Sequence, residues 1–261
     1  MVVDPVNINL TQELIVLSKE LVFAYPLRDI VLDFVAYSSM AILALMIFLE
    51  ISKLYSITQY EGLKHFKGAF LYFGISNLAI LTLVIAFAIL RFIHFSDEAT
   101  AFFLLGLSIP SLLVAGISLW IAKTDLLYVI TWRLFDGIST KRRFKAVFFV
   151  FLMFFVAIDS ILYGISLDYF QFAGGFIYKA IIFTLILLMI RYNQNSSGRI
   201  GSITHPYYLG IIMLFTLNFL DIFTELTYNY TIADLIINGL TIIAYLIILK
   251  GIRKWTRILT I

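Results

Sequence analysis

Cysteine is absent from the 261 residues. Without a thiol the chain can form no disulfide, zinc–thiolate site or iron–sulfur cluster, and it offers no acceptor for prenyl or palmitoyl groups. Charge is also scarce. Asp, Glu, Lys and Arg make up 13% of the residues, against roughly 25% in a soluble domain. Histidine occurs three times, and no glycine-rich phosphate loop is present. What fills the chain instead is apolar: 62% hydrophobic and 16% aromatic residues. A soluble fold cannot hide that fraction, because surface grows too fast with size. The composition excludes a soluble globular enzyme, a disordered chain and a nucleic-acid module. It leaves a polytopic membrane protein in contact with a lipid bilayer.

A helix that crosses a bilayer needs about 20 predominantly apolar residues. Two windows meet this without any charge, between Lys67 and Arg91 and between Glu98 and Lys123. Five more meet it with one or two interruptions, at about 30–50, 146–167, 172–191, 207–228 and 231–250. The runs are continuous rather than alternating, which excludes barrel strands. The expected fold is all-α, a bundle of seven transmembrane helices. Basic residues gather in the stretches 50–67, 123–145 and 191–206 and in the tail, and these alternate with short neutral or acidic connections. Positive charge marks the cytoplasmic side, so the N-terminus is placed outside and the C-terminus in the cytoplasm of a multi-pass cell-membrane protein.

Two regions are expected. Residues 1–27 form an extracytoplasmic N-terminal segment, and residues 28–261 the seven-helix domain. The N-terminal segment carries Asp4, Glu13 and Glu20 and lacks the basic start of a secretory signal. Leu10, Leu14, Leu17 and Leu21 recur at helical spacing within it. They predict an amphipathic helix over 10–23, either interfacial or packed on the bundle top.

An ionisable group inside a bilayer costs about 2.5–3.5 kcal/mol even on a lenient scale. Asp33, Asp159, Lys179, Asp221, Glu225 and Asp234 nevertheless fall within the expected spans or at their outer ends. The inner halves of the same helices are nearly free of charge. Helical spacing puts Asn218, Asp221 and Glu225 on one stripe and Asp234, Asn238, Thr241 and Tyr245 on another. Asp33 shares a face with Tyr37, and Asp159 with Tyr163. Lipid cannot satisfy such stripes, so they should face the bundle interior. Asp159 and Lys179 are equidistant from Tyr169, as Asn218 and Asn238 are from Tyr228, so each pair would meet across a helical hairpin. The expected site is an outward-opening, acidic pocket for a small cationic or polar ligand, lined by these residues.

No cofactor is expected. His65 and His205 fall on the cytoplasmic side and His94 on the outer side, so no pair lies mid-membrane to hold a bis-histidine haem, and the three stand on opposite faces, which excludes a three-histidine zinc centre. Thr124-Asp125 reads as a helix cap and turn at the start of the basic stretch. Within that stretch Arg133, Lys141, Arg142, Arg143 and Lys145 form a surface for a membrane or cytoplasmic protein partner. The layout resembles, in architecture alone, the membrane input modules of bacterial and archaeal signalling proteins. The first reading of function is a sensor or receptor-like protein that signals through such a partner. The second is a transporter or proton-coupled carrier, and the third a structural or assembly subunit of a larger membrane complex.

Overall fold

The structure is a computed structural model that describes residues 26–59, 61–92, 97–135, 206–224 and 230–259, with isolated positions between 146 and 187. Five helices lie among the described residues: α1 (Leu27–Thr58), α2 (Glu61–Phe92), α3 (Asp97–Phe135), α4 (Pro206–Thr224) and α5 (Tyr230–Leu259). All of α1, Gly62–Phe92 of α2, Gly106–Val129 of α3 and Ile232–Arg257 of α5 are long and apolar enough to cross a membrane. The chain is thus an all-helical, multi-pass membrane protein. The windows at 30–50, 67–91, 98–123 and 231–250 each lie on one of these four helices, and 207–228 overlaps α4. The windows at 146–167 and 172–191, isolated positions apart, and the amphipathic segment at 10–23 lie outside the described residues.

Local chemistry sets the helix ends. Pro26 is extended (φ −65°, ψ 144°) and its carbonyl accepts from the Asp29 and Ile30 amides at 3.0 and 3.2 Å. Asp29 in the first turn favours the positive end of the helix dipole. At the far end Gln59 turns left-handed (φ 51°) and its amide closes on the Tyr55 carbonyl at 2.8 Å. α2 begins two residues later, so α1 and α2 form a tight hairpin. Hydroxyl groups inside the apolar helices bond back one turn: Ser52 to Phe48, Thr82 to Leu78, Thr216 to Ile212 and Thr241 to Ile237. This satisfies donors that lipid could not.

α3 packs on α2, α2 on α1, α1 on α5 and α5 on α4. The register shows the directions. Ser76 of α2 donates to the Ala115 carbonyl of α3 at 3.0 Å, and His65 meets Asp125, so α2 and α3 are antiparallel. Asp33 feels the charge of Asp234, while Glu50 binds Arg253, so α1 and α5 run parallel. The core centres on α1, where Ala36, Met40, Ala44, Ile47 and Ile51 face Phe66 and Phe70 of α2 and Ile248, Leu249 and Ile252 of α5. Ala44 is fully buried, and small residues of this kind let membrane helices approach closely.

This packing sorts the charges. Lys53, Lys64, Lys67, Lys250, Arg253, Lys254 and Arg257 share one end of the bundle with Glu50. Asp29, Asp33 and Asp234 lie toward the other, where Arg28 pairs with Asp29 at 3.1 Å. At the cationic end Lys67 is held over the rings of Phe48 and Tyr55, 5.8 and 5.3 Å from their centroids.

Two expectations are corrected here. The stretch 123–145 does not begin as a loop: α3 continues through Lys123 to Phe135. The apolar window stopped at the first lysine, but a lysine facing other polar groups need not end a helix. Thr124-Asp125 is likewise no cap and turn. Both residues are buried inside α3, and the Thr124 hydroxyl bonds back to the Trp120 carbonyl at 2.9 Å.

Candidate functional site

A cavity of about 510 Å³ opens among the helices, and all five contribute to its wall. α1 supplies Tyr37 and Met40, and α2 supplies Phe73, Ser76 and Asn77. α3 contributes Gly116, Trp120, Lys123 and Leu126, while Leu214 and Phe215 come from α4. The polar stripe of α5, with Asp234, Asn238, Thr241 and Tyr245, completes it. The spacing that put these four residues on one face thus corresponds to one wall of a real space.

The wall is internally braced. The Asn238 amide donates to Asp234 Oδ2 at 3.2 Å, one turn along the same helix. The Asn77 amide donates to the Phe73 carbonyl at 2.9 Å, and Asn77 and Tyr245 both line the cavity. The Tyr245 ring is buried edge-on against Phe70, with centroids 5.6 Å apart. The Trp120 indole N–H donates to the Met153 carbonyl at 2.9 Å. Such bracing holds polar side chains at fixed positions around the space, a property of ligand sites.

Of the sequence-predicted pocket residues, Tyr37, Asp234 and Asn238 line the cavity. Asp33 lies one turn beyond Tyr37, partly exposed and within electrostatic reach of Asp234. Asn218 and Asp221 are on α4, but their side chains lie outside the described residues. Asp159, Tyr163, Lys179 and Glu225 lie outside them altogether. So do Lys141, Arg142, Arg143 and Lys145 of the expected partner surface, whereas Arg133 falls on α3.

Sequence reasoning missed two features. Lys123 lines the cavity, on the same face of α3 as Gly116, Trp120 and Leu126. That spacing is readable, but the apolar window that starts after Glu98 ends at this lysine. The second is a pair between α2 and α3. His65 Nδ1 lies 2.8 Å from Asp125 Oδ1, with side chains 25% and 9% exposed. The Tyr128 ring packs on the imidazole at a centroid distance of 4.3 Å. Gly68 makes the pocket for the carboxylate: a Cβ there would lie 2.6 Å from Asp125 Oδ2. The pair lies on α2 and α3, toward the cationic end of the bundle. No spacing rule joins residues 60 positions apart, so only the helix packing could reveal this pair.

These features define a multi-pass helical membrane protein with a cavity whose mostly apolar wall carries braced polar groups. No family model, curated protein or solved structure matches the chain.

Proposed function

We propose that the chain is a seven-span cell-membrane protein with its N-terminus outside and its C-terminus in the cytoplasm, acting as a receptor-like sensor. A small cationic or polar ligand would enter the cavity, and the basic surface at Arg133, Lys141, Arg142, Arg143 and Lys145 would pass the signal to a cytoplasmic partner. The observation that carries this reading is the shared cavity. Five helices contribute to one cavity, whose mostly apolar wall carries a few polar groups, so a ligand there can bias their relative packing, which is what a receptor requires. The seven-span count is supported by helix direction. α3 ends, and α4 begins, at the cationic end, so the chain between them crosses an even number of times. The two apolar windows at 146–167 and 172–191 are each long enough in sequence for one crossing. The charge sorting supports the orientation.

The test is a thermal-shift screen of the purified chain in detergent against primary and quaternary ammonium compounds. At least one should raise the melting temperature. Asp234→Asn should weaken its binding about tenfold or more, since a charge-assisted contact contributes about 1.5–3 kcal/mol. Equal stabilisation of both proteins, or none by any amine, would overturn the acidic-cavity reading.

One observation favours a proton-coupled carrier as a second reading. Lys123 in the wall and the Asp125–His65 pair beyond it continue ionisable groups from the cavity toward the cationic end. A carrier should move an amine found in that screen across proteoliposomes together with protons, and His65→Leu should abolish the proton movement. Amine binding without flux decides for the sensor.

A further inference from the structure

The outward face of α5 changes character along its length. Ile232, Leu235, Ile236, Ile243 and Leu246 are exposed on it, and helical spacing carries the same face on to Lys250, Arg253, Lys254 and Arg257, all exposed. The four cations follow an i, i+3, i+4, i+7 pattern, a single stripe. The opposite face at the same level is apolar and buried, with Ile248, Leu249 and Ile252 against α1.

Dimensions place this stripe in the membrane. From Ile232 to Lys250 is about 27 Å at 1.5 Å per residue, close to the ~30 Å hydrocarbon core. From Lys250 to Arg257 the helix runs about 10 Å further, through the depth of the headgroup layer. The exposed apolar part of the face meets acyl chains, so the cations that continue it meet lipid headgroups at the same radius from the bundle. α1 adds to the cluster. Glu50 is 3.4 Å from Arg253 and 3.7 Å from Lys53, so the two cations are drawn together on a single carboxylate and the local charge stays positive.

We propose that Lys250, Arg253, Lys254 and Arg257 of α5, with Lys53 of α1, form a binding site for the phosphate headgroups of acidic phospholipids. The site rests on the chain's being a membrane protein and not on the sensor or carrier reading. An acidic protein partner is disfavoured by the unbroken run of the face from acyl-chain depth into the headgroups. Juxtamembrane basic clusters attract anionic lipid with an energy that falls as salt rises.

The experiment reconstitutes the full purified chain in phosphatidylcholine vesicles containing spin-labelled phosphatidylglycerol or spin-labelled phosphatidylcholine. It measures the motionally restricted lipid at the protein surface. Wild type should prefer the acidic probe several-fold. The variant Lys250→Gln/Arg253→Gln/Lys254→Gln/Arg257→Gln should show equal occupancy, with unchanged helicity by circular dichroism. Raising the salt should shrink the wild-type preference, a readout that needs no variant to fold. Arg28→Gln/Arg91→Gln, at the other end of the bundle, should keep it. A wild type without preference, a preference insensitive to salt, or one lost equally in the Arg28/Arg91 variant overturns the proposal.

Discussion

Alanine in place of Asp125 should destabilise the protein by about 1.5 kcal/mol, toward the low end of the range for leaving a buried hydrogen-bonding group without its partner. The carboxylate is buried, lies 2.8 Å from His65 and sits where Gly68 leaves room for it. Its removal deprives an imidazole packed against the tilted Tyr128 ring of its partner and opens a polar void between α2 and α3. The low end applies because His65 retains 25% side-chain exposure, and water there can recover part of the loss. Asp125→Asn keeps the shape and an acceptor and should cost less. Glu50→Gln, which weakens the more exposed pair with Arg253, should cost less than about 1 kcal/mol. Unfolding of the purified protein in mixed micelles would measure all three, and a double-mutant cycle with His65→Leu would isolate the coupling. If Asp125→Ala proves as stable as Glu50→Gln, the pair contributes no more than a surface contact.

The second large effect is expected at Gly210 on α4. A methyl group there would run into Ile248 Cγ1 and approach the Ala244 carbonyl to 3.1 Å. One obstacle is the inner part of a fully buried side chain and the other is backbone, so neither can move aside without shifting α4 from α5. Overpacking of this kind costs about 1–3 kcal/mol. Gly210→Ala should lower the melting temperature in detergent by several degrees. Gly106→Ala, with nothing within 4 Å of the added atom, should leave it unchanged or raise it, since alanine favours the helix by roughly 1 kcal/mol. The opposite signs make the pair a test of the α4–α5 contact itself. A Gly210→Ala protein as stable as wild type would mean that the two helices are further apart than described.

The α5 wall and the α3 wall show what a linear reading reaches. Asp234, Asn238, Thr241 and Tyr245 were placed on a shared face by spacing alone, and they share a cavity wall. Lys123 obeyed the same rule on α3, yet the hydropathy window that counts charges ended the helix just where a charged residue faces the cavity. His65 and Asp125 lie beyond any local rule, because a contact across 60 residues is set by the register of two antiparallel helices.

Membership of the membrane class and the positions of the long helices are written in composition and period, since a bilayer demands apolar length and hydrogen-bonded backbone from each span separately. Which charges meet is a different matter. Aspartate and lysine look equally costly anywhere along an apolar run. Their cost is relieved only by partners that distant helices bring within a few ångströms, so the tertiary packing alone decided which helix faces share the cavity and that His65 meets Asp125.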